Sequence, residues 1–114
     1  MSATFIFTGG RDYFDEKAVI TLIMCLPIAA TFAVGDCPTG LDKIVTNYFK
    51  DDVLTVYKAD WNKHGLAAGP IRNKEMICAN PGAIIIAFPG GKGTANCVKQ
   101  GQENNHLVLQ VMER

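Results

Sequence analysis

Ala83-Ile84-Ile85-Ile86-Ala87-Phe88 runs directly into Pro89-Gly90-Gly91-Lys92-Gly93-Thr94. The first six residues are the most strongly apolar run of β-like composition in the chain and predict a strand. The glycine-rich segment ends it, and a short helix is expected from Thr94 to about Lys99. The same order of strand, polar turn and helix repeats outward in both directions. Thr4 to Thr8 reads as a first strand, broken by Gly9-Gly10-Arg11-Asp12. Asp15 suits the N-cap of a helix running to about Leu26. A second strand, Ala30 to Val34, ends at Gly35-Asp36-Cys37-Pro38-Thr39-Gly40, and a helix follows from about Leu41 to Phe49. Val53 to Tyr57 is a third strand, and Lys58 to Gly69 reads as a long loop. Pro70 then fits the first turn of a helix reaching about Cys78. Leu107 to Met112 reads as the last strand. About five strands alternating with four helices predict an α/β fold. The expectation is a single Rossmann-like, doubly wound domain with mostly parallel strands and helices on both faces.

Composition narrows the function. A chain of 114 residues is one domain, and 48% hydrophobic content excludes a disordered linker. Eleven basic residues balance eleven acidic ones, which argues against nucleic acid or a membrane surface as partner. Cys25, Cys37, Cys78 and Cys97 form no Cys-x-x-Cys pair, and neither His64 nor His106 sits at ligand spacing to them, so no metal is expected. The opening residues MSATFIFTGG carry no basic n-region, so the expected location is the cytoplasm, with reduced thiols. Ala18 to Gly35 is apolar and nearly long enough to span a bilayer, but Pro27 divides it. A helix packed on a parallel sheet, followed by a strand buried on both faces, produces the same run.

Glycine-rich or polar segments follow the first, second and fourth strands directly. In a doubly wound sheet those turns share the carboxyl edge, where such folds bind ligands. With the first strand central, Gly9 to Asp12 and Pro89 to Thr94 flank the crevice. Pro89 to Thr94 suits an anion: glycines let backbone approach a ligand, and the amides opening a helix favour phosphate. The plain alternative is a tight turn that needs glycine for shape. Lys92 lies inside the glycines, so the motif is not a Walker A loop. Cys37 precedes a helix, a setting that activates thiols, but no histidine lies near it in sequence. Asp36 and Asp42 read as cap or turn formers before acid–base groups. Trp61 either stacks on a base or covers the core edge. Arg72, Asn73 and Glu75 open a helix and suit phosphate and ribose, or simply a solvated helix start. His64 reads as a surface residue.

Five motifs in order cover essentially the whole chain. They are Gly9-Gly10-Arg11-Asp12-Tyr13, Gly35-Asp36-Cys37-Pro38-Thr39-Gly40-Leu41-Asp42, Ala59-Asp60-Trp61, Gly69-Pro70-Ile71-Arg72-Asn73 and Pro89-Gly90-Gly91-Lys92-Gly93-Thr94. Together they resemble the YspA-like, YpsA-related branch of the SLOG superfamily. The resemblance implies a Rossmann-like fold shared with the cytokinin-activating LOG phosphoribohydrolases. It also implies kinship with sensor domains that bind nucleotide-derived signals in bacterial immunity and phage conflict. Members commonly dimerise, so a homodimer or higher homo-oligomer is expected. The enzymes use an arginine on the helix before the fourth strand, matched by Arg72, and a glutamate just after the Pro-Gly-Gly-x-Gly-Thr motif. Here that region reads Ala95-Asn96-Cys97, with no carboxylate.

The reading is therefore a binder of a nucleoside monophosphate or ADP-ribose-like ligand, acting as sensor or sequestering protein and needing no cofactor. The alternative is a hydrolase of an N-glycosidic or phosphoester bond, with Asp12, Asp60 and Glu75 as catalytic candidates. The expected ligand-binding residues are Gly9, Gly10, Arg11, Asp12, Asp36, Cys37, Pro38, Thr39, Gly40, Asp60, Trp61, Arg72, Asn73, Pro89, Gly90, Gly91, Lys92, Gly93 and Thr94.

Overall fold

Phe5 and Phe7 point to one face of the first strand and Ile6 to the other, and all three are buried. A strand apolar on both faces belongs in the interior of a parallel sheet with helices above and below. The computed structural model, which describes residues 3–49 and 52–112, has that arrangement. The elements are β1 (Thr4–Thr8), α1 (Glu16–Met24), β2 (Thr31–Gly35), α2 (Gly40–Tyr48), β3 (Leu54–Tyr57), α3 (Trp61–His64), α4 (Ala68–Ala79), β4 (Ile84–Ala87), α5 (Lys92–Glu103) and β5 (Val108–Gln110). The sheet order is β3-β2-β1-β4-β5, and every pairing is parallel. The fold is a single Rossmann-like α/β sheet with helices on both faces.

The two faces carry two cores. On one, Val19 and Ile23 of α1 and Leu41 and Val45 of α2 pack on Phe5, Phe7, Phe32, Val34 and Ile86. On the other, Met76 and Ile77 of α4 and Cys97 of α5 pack on Ile6, Ala33 and Ile85. The chain winds outward from β1 through β2 to β3, then crosses the sheet and returns on the far side of β1 as β4. The winding direction thus reverses between β1 and β4, which makes their carboxyl ends the switch point.

The long apolar run resolves into α1 and β2. Asp15 caps α1 by accepting a hydrogen bond from the Ala18 amide at 3.1 Å. Among the described residues no helix is long and apolar enough to cross a membrane. Of Ile20, Ile23 and Met24, the apolar α1 residues expected to face a second copy, Ile23 is buried in the chain's own core, Ile20 is partly buried and Met24 is exposed.

Two helical expectations need correction. Lys58 to Gly69 is not a loop, because α3 and a 3-10 turn, Gly65–Ala67, fill most of it and α4 begins at Ala68. The Asp60 carboxylate nucleates α3 by accepting from the Lys63 amide at 3.0 Å. Pro70 is the third residue of α4, where no intrahelical N–H bond is lost. Helix α5 is also longer than expected, running from Lys92 to Glu103. Gly101 does not end it. A methyl group at that position would collide with the Ile85 side chain, so glycine lets the helix lie close on β4. Beyond α5, buried His106 donates from Nδ1 to the Ala83 carbonyl at 2.7 Å and fastens the return to β5.

Candidate functional site

The turns after β1, β2 and β4 are joined through Gly10. Its amide donates to the Pro89 carbonyl at 2.9 Å, and its carbonyl accepts from the Leu41 amide at 3.1 Å and the Tyr13 amide at 3.2 Å. Thr39 Oγ1 donates to the Arg11 carbonyl at 3.0 Å. Such close approach of backbone to backbone explains two glycines outright. Gly40 has a φ of 72°, and a side chain there would strike the Gly10 carbonyl and come within 2.6 Å of Arg11 backbone carbon. At Gly90 a side chain would strike Thr94 Oγ1 and lie 2.6 Å from the Gly10 amide nitrogen.

Gly91 and Gly93 are different. Nothing lies within 4 Å of where their side chains would stand, and neither has a positive φ. Gly91 is the N-cap of the twelve-residue α5 and provides no side-chain cap. No side chain therefore stands at these two positions at the start of α5, beside the switch point and at the positive end of the helix.

A polar seam runs from the β2 turn to this helix start. Asp36 Oδ1 accepts from Arg72 Nη1 at 2.9 Å and from the Ala59 amide at 3.2 Å. Arg72 Nε donates to Asn73 Oδ1 at 2.9 Å. Buried Asn73 then donates to the Gly93 carbonyl at 3.3 Å and to Asn96 Oδ1 at 3.2 Å. Asn96 Oδ1 also accepts from Gln100 Nε2 at 2.7 Å.

Asp42 lies against this seam. A side chain on Gly35 would fall 2.8 Å from Arg72 Cζ and 2.9 Å from Asp42 Oδ2, so guanidinium and carboxylate converge over that glycine. Asp42 is buried and accepts from the Cys37 amide at 3.1 Å. Burial pushes its carboxyl up to about 6; the Cys37 amide and Arg72 pull against this, and Asp36 adds to it. The result is a carboxyl group that titrates near neutrality at the carboxyl edge. Sequence reasoning left Asp42 outside the site, because an aspartate in the first turn of a helix signals only a cap. Asn96 and Gln100 gave no signal at all, since their partners lie on another helix.

The other expected residues divide. Arg11 and Asp12 are exposed on the rim of the first turn, and Pro38 and Lys92 are exposed beside it. Cys37 Sγ lies 4.0 Å from Thr39 Oγ1, with no histidine partner among the described residues. Trp61 is half exposed, its ring edge over Gly69 at the start of α4. Asp60 is engaged as the cap of α3. Glu75 is exposed, three residues deeper along α4 than Arg72, and its side chain makes no hydrogen bond or ion pair among the described residues. Cys97 is buried; burial pushes its thiol up to about 11, against the opposing hydrogen bond with Thr8. No three metal-binding side chains cluster among the described residues. On the β5 side, a groove of about 570 Å³ adjoins Pro89, Gly90 and Thr94 and continues past Val98, Lys99 and Val111.

No family model matches the chain, and no solved structure matches it. A curated protein does: the Gene 61 protein of Mycobacterium phage D29 is 40% identical over 56 residues, or 47% of this chain. The match spans 44% of that phage protein's length.

Proposed function

We propose that the protein binds a small nucleotide-derived ligand, a nucleoside monophosphate or an ADP-ribose-like molecule, with its phosphate on the amides opening α5. The observation that carries this reading is the contrast among the glycines. A turn that needed glycine only for shape would need it at Gly90, where there is no room. Gly91 and Gly93 stand in open space without positive φ, and what they leave clear is access to the first-turn amides. Arg11 and Lys92 add positive charge at the rim. The role is sensing or sequestering such a ligand in the cytoplasm, including signalling nucleotides of phage–bacterium conflict, which fits the likeness to a phage protein. Self-association as a homodimer or higher oligomer belongs to the same proposal. Met24, the last residue of α1, and Ile28, in the turn that follows it, are exposed and support it. Light scattering that gives a monomer at micromolar concentration removes that part.

The binding test uses Gly91→Val, which the open space tolerates. Calorimetric titration of the folded variant with nucleoside monophosphates and ADP-ribose is expected to show lost affinity. Unchanged affinity overturns the phosphate assignment. Ligand at a hundredfold excess over Kd stabilises the wild-type fold by about 2.7 kcal/mol and is recovered intact.

A second reading, a hydrolase resembling the LOG phosphoribohydrolases, draws on Asp42, whose carboxyl near 6 suits acid–base work beside Arg72. Asp12 stays a candidate on the rim. Asp60 is weakened by its capping role and Glu75 by its depth along α4. Chromatography of AMP, ADP-ribose and cyclic ADP-ribose after long incubation separates the readings. Turnover abolished by Asp42→Asn with binding retained establishes the enzyme.

A further inference from the structure

We infer that the groove between α5 and the end of β5 is a second binding site, for an apolar organic acid with a hydrogen-bonding group at the end remote from its anionic group. The inference goes beyond the nucleotide reading and does not need it. The groove holds about 570 Å³, within the range of about 300–1,000 Å³ that small-molecule sites occupy. Its walls are mostly apolar: Phe88 just beyond β4, Ala95 and Val98 on α5, and Val111 just beyond β5. Two further side chains specify the occupant. Lys99 is exposed and is the one charged residue among those lining the groove, so an anion is attracted and no carboxylate in the lining opposes it. Thr94 lines the other end, beside Gly90. It is 9% exposed, and its hydroxyl makes no hydrogen bond among the described residues. The oxygen is not sealed from the surface. A side-chain hydroxyl so deeply buried and still unpaired is completed by a partner from outside the chain. Thr94 and Lys99 lie five residues apart on α5, a rise of about 7.5 Å along the helix. An occupant that meets both therefore has its two polar groups at opposite ends of an apolar body, and that body lies on Ala95 and Val98. Gly91, Lys92 and Gly93 are outside the lining, so a substitution at Gly91 separates this site from the proposed phosphate position.

The test measures, by calorimetry on the full chain, the binding of two hydroxy acids, 4-hydroxycinnamate and 8-hydroxyoctanoate, and of cinnamate and octanoate, which lack the hydroxyl. At least one hydroxy acid is expected to bind about three- to tenfold tighter than its parent, the worth of one neutral hydrogen bond. The pair that shows the difference identifies the apolar body as aromatic or aliphatic. Lys99→Glu is expected to weaken the acids at least about tenfold, because attraction becomes repulsion. Ala95→Trp fills the groove from an exposed position and is expected to abolish binding. Thr94→Val removes the hydroxyl and is expected to erase the preference while leaving the parent acids within about twofold. Gly91→Val is expected to leave all four acids unaffected. Circular dichroism checks that each variant folds; if Thr94→Val does not, the two variants at exposed positions decide. Failure of all four acids to bind overturns the inference, and so do equal affinities within both pairs. Binding that persists in folded Lys99→Glu and Ala95→Trp, or that is lost in Gly91→Val, overturns it as well.

Discussion

Burial holds the Asp42 carboxyl near 6 against its ordinary 3.8, so the folded chain favours the protonated form. Below about pH 3.8 folded and unfolded chains both carry the proton, and the contribution to stability is fully present. As pH rises through about 6, the folded chain must release a proton that the unfolded chain has already lost, and the contribution disappears. At about 1.36 kcal/mol per pH unit this amounts to something on the order of 3 kcal/mol. Asp42→Asn is therefore expected to stabilise the protein at pH 8 and to lose that advantage below pH 4, as read by urea denaturation at both values. A difference independent of pH would refute the titration argument. The glycines of the site make a second prediction at the same scale. Gly40→Ala meets backbone and a left-handed φ, so a loss of about 2–4 kcal/mol is expected. Gly91→Ala meets open space and is expected to change stability by less than about 0.5 kcal/mol. Denaturant midpoints of the two variants decide it.

Among the elements, strands were the most legible, because Phe5 to Phe7, Phe32 to Val34 and Ile84 to Ile86 are apolar on both faces and admit no other placement. Helices were less so wherever glycine intervened. Helix α5 was expected to stop near Lys99, yet it continues through Gly101, which lies against Ile85, sixteen positions earlier on β4. Gly65 and Gly69 likewise break up the stretch that holds α3 and the first residues of α4, so Lys58 to Gly69 read as loop. The glycine-rich turns of the site were readable for a related reason: each follows a strand directly, and topology alone brings them to one edge. The seam between α4 and α5 was not readable: Asn73 was expected to meet a ligand rather than Asn96 and the Gly93 carbonyl, and Asn96 and Gln100 are ordinary polar residues until two helices are laid side by side. That seam sets the position of the first turn of α5. Asn73→Ala is expected to destabilise the fold by about 1–3 kcal/mol, because it strips partners from Arg72 Nε and the Gly93 carbonyl. Amide hydrogen exchange should accelerate at residues 92–96 more than along the rest of α5. Uniform acceleration would mean that Asn73 holds the helix as a whole and does not govern its start.

The molecule as a whole is two cores sharing one sheet, so neither face can lose its packing and leave the other intact. Chemical unfolding is expected to be a single transition, coincident by far-ultraviolet circular dichroism and by hydrogen exchange of the slowest amides. Two separated transitions would show that the faces melt independently. The order of the strands bears on the chain's history as well. β1 finds its first neighbour early, with Thr4 opposite Thr31, but its second only when Phe5 meets Ile84. A growing polypeptide can assemble β1, β2 and β3 while the far edge of β1 still waits for β4. Translation at about 5–20 residues per second leaves that edge bare for a time on the order of seconds. A bare apolar edge is a template for another chain. A ribosomal pause while residues 58–83 are emerging therefore exposes this protein to co-translational aggregation, whereas a pause after β4 has emerged does not.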